Sequence, residues 1–71
     1  MIDKLIDDLN VISEYDKENY QKLHYMKIEQ VSKPGTDEGA ALIDGRWIPK
    51  SQMLCDFDNN LYVANWLYAK L

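Results

Sequence analysis

The pair Asp44-Gly45, set between the β-prone runs at residues 40–43 and 46–48, narrows more than any other feature what this chain can fold into. A two-residue hairpin turn of type I′ needs positive φ at both central positions, which Asp and Gly tolerate, and its twist matches that of the flanking strands. The turn therefore predicts an antiparallel pair with fixed register, ended by Pro49, which has no N–H for the ladder. A second hairpin is expected between residues 53–57 and 61–63 around Asp58-Asn59-Asn60, and an earlier strand over residues 25–31. Residues 32–39, Ser-Lys-Pro-Gly-Thr-Asp-Glu-Gly, hold turn formers and nothing apolar, and read as a loop.

Before this β-rich part, Ile2, Leu5, Ile6, Leu9 and Ile12 recur at the spacing of one helical face, with Asp3, Asp7, Asn10 and Glu14 on another. An amphipathic N-terminal helix is expected. Ser13, followed three residues later by Asp16, resembles a cap for a second turn or short helix. The favoured reading breaks the helix near Ser13, since Asp16 falls where the stripe needs a hydrophobe; continuation toward Lys22 is the alternative. Residues 64–71 read as a short terminal helix whose Trp66, Leu67 and Leu71 cap the core.

With 71 residues the chain has room for one domain, 1–71, and a 46% hydrophobic fraction with two Trp, five Tyr and one Phe argues against disorder. The expected class is α+β: an N-terminal amphipathic helix packed on a small three- to four-stranded antiparallel sheet or partly open barrel, with a short C-terminal helix. Stability of about 3–5 kcal/mol is typical of an unstapled domain this small, so oligomerisation or partner binding would add support. The lone Cys55 forms no internal disulfide, and no charged start with a long apolar run marks a leader or membrane span; a cytoplasmic setting without membrane contact is the expectation.

The formal charge of −4 is unevenly placed. Residues 1–20 carry Asp3, Asp7, Asp8, Glu14, Asp16 and Glu18 against Lys4 and Lys17, while the acids and bases of residues 21–71 balance. This acidic segment is the first candidate for a partner-binding surface, directed at a basic protein, and the overall acidity counts against nucleic acid as a direct ligand. The alternative surface is Arg46, Trp47 and Lys50, since Trp and Arg are enriched at binding hot spots and cations beside aromatics stack on bases. The plainer expectation is that Trp47 and Trp66 form the core of a small barrel.

Catalytic, cofactor and metal assignments are none. His24 and Cys55 lack metal-ligand spacing, and Cys55, between Leu54 and Asp56, reads as a buried small hydrophobe. Asp7-Asp8 and the pair Asp56 and Asp58 read as solvated charge. The Asp56-Phe57-Asp58-Asn59-Asn60 stretch lacks the glycine and terminal Glu of a calcium loop.

The run Ala41-Leu42-Ile43-Asp44-Gly45-Arg46-Trp47-Ile48-Pro49-Lys50-Ser51-Gln52, followed by Leu61-Tyr62-Val63-Ala64-Asn65-Trp66-Leu67, resembles small, poorly characterised bacteriophage and mobile-element proteins carrying a Trp-Ile-Pro-Lys-Ser-Gln hexapeptide. The resemblance covers residues 40–71; Ala64 stands where that group has proline. It implies a phage- or prophage-encoded accessory protein. The expected function is non-catalytic: binding to, and inhibition or modulation of, a host or defence protein such as a nucleic-acid-processing CRISPR-type effector. The alternatives are a phage DNA-metabolism factor touching single-stranded nucleic acid and a sponge for a nucleotide signal.

Overall fold

In the computed structural model the Asp44-Gly45 turn is where the sequence places it, with φ of 51° and 81° at the two residues. It joins β4 (Ala40–Ile43) to β5 (Arg46–Pro49), pairing Ile43 with Arg46 and Leu42 with Trp47. The turn is also tied to the preceding segment. The Asp44 carboxylate accepts the N–H groups of Met26 and Lys27 at 2.9 Å each, and Gly45 N–H donates to Glu29 Oε2 at 2.7 Å. These bonds seat β3 (Ile28–Val31) beside β4 and complete an antiparallel sheet in the order β3-β4-β5, with a register shift between Ile28 and Gln30. The expected strand over residues 25–31 is thus three residues shorter at its start, because Met26 and Lys27 give their N–H groups to Asp44 instead of a ladder.

The description covers residues 2–71; Met1 and the side chains of Ile2, Asp3 and Lys4 lie outside the described residues. The N-terminal helix is shorter than its apolar spacing suggests. The helix α1 (Ile2–Asp7) ends five residues before Ile12, and Asn10–Val11 is strand β1, pairing in parallel with Leu54 and Cys55. Ile12 N–H extends this union to Cys55 O at 2.7 Å. Backbone bonding to a sheet edge has overridden continuation of the helix, while Leu5 still reaches the core and Ile6 and Leu9 pack on it. The break near Ser13 falls instead at Asp7. Asp16 does cap Ser13, taking its N–H at 3.1 Å and its hydroxyl at 2.9 Å, but around a turn, without a second helix.

A second sheet, in the order β1-β6-β7-β2, comprises β1, β6 (Met53–Cys55), β7 (Leu61–Ala64) and β2 (Tyr20–Leu23). The fold is therefore a small α+β arrangement of a three- and a four-stranded sheet with two short helices, and one of its strand pairs is parallel where an all-antiparallel sheet was expected. The second hairpin is present with a longer loop: β6 stops at Cys55, and Asp56 and Phe57 belong to the turn. The terminal helix α2 (Asn65–Tyr68) is confined to four residues, and its start is held where Asn65 N–H reaches Asn19 O at 2.9 Å.

Leu5, Ala41, Ile43, Ile48, Met53, Cys55, Leu61 and Val63 form the buried core. Neither tryptophan belongs to it. Trp47 is 51% exposed and Trp66 55% exposed, which corrects the expectation of an aromatic barrel core. The cause is register: Ala41, Ile43 and Ile48 point inward, so the pleat turns Trp47 and its cross-strand neighbour Leu42 outward. Leu67 and Leu71, by contrast, pack against the core as expected.

Candidate functional site

Arg46, Trp47 and Lys50 lie within five residues of one another, yet the fold sends their side chains to three different places. Trp47 stands on the outer face of the β3-β4-β5 sheet, directly across from Leu42, with Gln30 on the far side of Leu42 and Ala40 and Pro49 as the next cross-strand pair. Arg46, one position earlier, belongs to the face that buries Ile48, but at the open end of the strand, where it is exposed. It lines a cleft with Leu23, His24, Tyr68, Ala69 and Leu71.

Lys50 goes inside. It opens the 3-10 turn Lys50–Gln52, its N–H donates to Gly39 O at 3.0 Å, and its side chain is 0% exposed. The ammonium donates to Asp8 Oδ2 at 2.7 Å, Thr36 O at 3.0 Å and Lys33 O at 3.1 Å, so its three protons each have an acceptor. Asp8 is nearly as enclosed, with a 3% exposed side chain, and also accepts Gly35 N–H at 3.0 Å. The hydrogen bond from Lys50 holds the Asp8 carboxyl below the usual carboxylate range, against the opposing effect of burial. The pair clamps the loop of residues 32–39 onto the end of α1. Gly39 closes that loop at φ 84°, where an added Cβ would meet Ser32 Oγ at 2.9 Å.

The acidic segment is correspondingly divided. Asp7, Glu14 and Glu18 are exposed; Glu14 is bonded to Lys17 at 3.1 Å; Asp16 is partly covered at its cap; Asp8 is enclosed with Lys50; and the Asp3 side chain lies outside the described residues.

Of the groups considered for chemistry, Asp56 is the most constrained. Its Oδ1 accepts the N–H groups of Asp58 and Asn60, and its Oδ2 accepts Asn60 Nδ2 and Tyr62 OH, all between 2.9 and 3.1 Å. These donors, Asn60 foremost, lower its pKa to about 2. The carboxylate organises the β6–β7 turn. Cys55 is buried, with Sγ 3.6 Å from Asn10 O, and burial pushes its thiol pKa up. His24 is exposed just past β2. Among the described residues no three His, Cys, Asp or Glu side chains gather as a metal site, and no helix is long and apolar enough to cross a membrane.

Trp66 keeps its indole N–H on Gln52 Oε1 at 3.2 Å, and the Lys70 ammonium sits 5.4 Å from its ring centroid. Both its polar handle and its ring face are engaged. Trp47 has neither kind of partner among the described residues. Its exposure follows from the one-residue phase of a pleated strand, a phase that adjacent Trp47 and Ile48, both apolar, leave undetermined in the sequence. The Asp8–Lys50 pair spans 42 positions, and no local signal announces it. No family model, curated protein or solved structure matches the chain.

Proposed function

We propose that the protein is a non-catalytic binding module that docks on another protein with Trp47 as its anchor. The observation that carries this reading is the 51% exposure of Trp47 on an outer sheet face beside Leu42. Large rigid aromatics left half in water lose little conformational entropy on docking and dominate interface energetics. Trp47 alone among the three residues of the alternative surface combines apolar area with exposure, because Lys50 is enclosed and Arg46 faces elsewhere. A single basic aromatic edge for single-stranded nucleic acid draws no support from that division.

The partner class we propose is a basic, nucleic-acid-processing host or defence protein that the module inhibits or modulates, in the phage-encoded setting implied by the resemblance of residues 40–71. The formal charge of −4 supports a basic partner, with exposed Asp7, Glu14 and Glu18 contributing to the field that speeds encounter.

The test is affinity capture from host cells with the tagged parent, a Trp47→Ala variant and a variant with Asp7, Glu14 and Glu18 changed to Lys. Trp47→Ala should stay folded, with a cost of about 1–2 kcal/mol, or roughly 4–16 °C in melting temperature, because half the indole is already in water, yet bind the captured protein at least about tenfold more weakly. Equal capture by Trp47→Ala refutes the anchor. Unchanged salt dependence in the triple variant removes the acidic contribution.

A further inference from the structure

The cleft beside Arg46 is separate from the Trp47 face and has its own chemistry. It occupies about 400 Å³ between the end of β2 (Leu23, His24), the first residue of β5 (Arg46) and the C-terminal turn (Tyr68, Ala69, Leu71). This is the small end of the range for small-molecule sites. Leu23, Tyr68 and Leu71 are half-buried, pack on the core and supply apolar walls. Arg46 and His24, both exposed, bring a guanidinium and an imidazole to its lining.

Arg46 is one of two described Lys and Arg side chains that this acidic protein leaves without a carboxylate or an aromatic ring as partner. Lys17, Lys27, Lys33 and Lys50 each have a carboxylate within 4.0 Å, and Lys70 lies against Trp66. Arg46 and Lys22 have no such partner among the described residues, and of the two only Arg46 lines the cleft. The carboxylate nearest in sequence, Asp44, feels the charge of Arg46, but its oxygens are committed to Met26 and Lys27 N–H. A guanidinium presents its donors in a planar fork that fits an oxyanion bidentately. His24, with no hydrogen-bond partner among the described residues, adds another donor on the same cleft.

We propose that this cleft binds a small organic anion, an oxyanion carried on an apolar or aromatic body, with Arg46 and His24 on the oxyanion and Leu23, Tyr68 and Leu71 against the body. Carboxylates and phosphate monoesters share this chemistry. The proposal does not rest on the Trp47 reading, since the residues concerned are different.

The experiment is an amide NMR titration of the intact chain with four probes: adenosine 5′-monophosphate, adenosine, N-acetyl-leucine and N-acetyl-leucinamide. At least one anionic probe should give saturable shifts confined to residues around Leu23, His24, Arg46 and Tyr68 to Leu71, with its neutral counterpart at least about tenfold weaker. Response to the nucleotide alone identifies a phosphate ligand; response to N-acetyl-leucine alone identifies a carboxylate. Arg46→Gln, checked by its melting curve, should weaken the responding probe by at least about tenfold, and Arg46→Lys by less. Absence of saturable shifts with both anions, equal response to the neutral probes, or full affinity in a folded Arg46→Gln protein overturns the proposal.

Discussion

Replacing Lys50 with Met tests whether the enclosed ammonium organises this end of the molecule. Met nearly matches the stem of Lys50 in volume, so the change removes the charge and three donors with little loss of packing. It leaves the Asp8 carboxylate, whose side chain is 3% exposed, with Gly35 N–H as its one remaining described donor, and it strips Lys33 O and Thr36 O of a partner. Removing one member of a buried ion pair costs about 3–5 kcal/mol, because the other charge is left uncompensated. That equals the whole stability expected of an unstapled domain this small, about 3–5 kcal/mol. Lys50→Met should therefore be largely unfolded at room temperature. The double variant Asp8→Leu with Lys50→Met removes both charges and should recover most of the loss, short of the parent by the unpaired Gly35, Lys33 and Thr36 backbone groups. Urea unfolding followed by circular dichroism measures the parent and the double variant, with the slope checked for constancy, and the signal of Lys50→Met without urea, set between their folded and unfolded baselines, gives its folded fraction. A Lys50→Met protein within about 1 kcal/mol of the parent, or a double variant no more stable than the single one, would show that the pair is not enclosed as described.

The Asp56 carboxylate gives an acid-dependent test. Its folded pKa of about 2 lies below its ordinary value of 3.8, so its stabilising contribution is complete above that ordinary value and is lost as pH falls toward 2. The shift corresponds to about 2 kcal/mol, reduced toward about 1 by screening at this partly covered site. Urea midpoints at about pH 5 and pH 2.5 should fall further in the parent than in Asp56→Asn; equal falls refute the assignment. The Cys55 thiol, 2% exposed and with its pKa raised by burial, should react with a maleimide at the rate of opening, accelerating with added urea; reaction as fast as that of an unfolded peptide in native buffer would contradict its burial.

What the sequence reveals about this fold is what is settled over a few residues. The Asp44-Gly45 turn declares itself because its conformation is a property of two residues, and the Ser13–Asp16 cap because its bonds span three positions. The length of α1 is of another kind. Ile2, Leu5, Ile6, Leu9 and Ile12 fit a helical face, yet Asn10 and Val11 find strand partners in Leu54 and Cys55. Strand β2 hides for a related reason: from Tyr20 to Leu23 it alternates in neither hydrophobicity nor burial, and its pairing with β7 defines it. The direction of Trp47 depends on a phase that Arg-Trp-Ile-Pro leaves open until Ala41 and Ile43 fix the inward face.

The charge count needs the same correction, with consequences for binding. Pairing within a protein removes equal numbers of each sign, so the formal total of −4 stands, but the pairing need not respect segments. Lys50, from the balanced part of the chain, engages Asp8 from the acidic part and withdraws both from solvent. Lys17 lies 3.1 Å from Glu14, and Asp16 spends its Oδ2 on Ser13. Among the described side chains of the first twenty residues, Asp7 and Glu18 are the exposed carboxylates without a partner. Their field decays over about 8 Å at physiological ionic strength. Two screened charges can steer an encounter, but they discriminate poorly among basic surfaces, so selectivity for one partner has to come from a contact that excludes water. Of the exposed aromatics on the described surface, Tyr15 and Phe57 lie in turns and Trp66 is engaged by Gln52 and Lys70, which leaves Trp47, on a sheet face beside Leu42 with its indole N–H unpartnered, as the anchor.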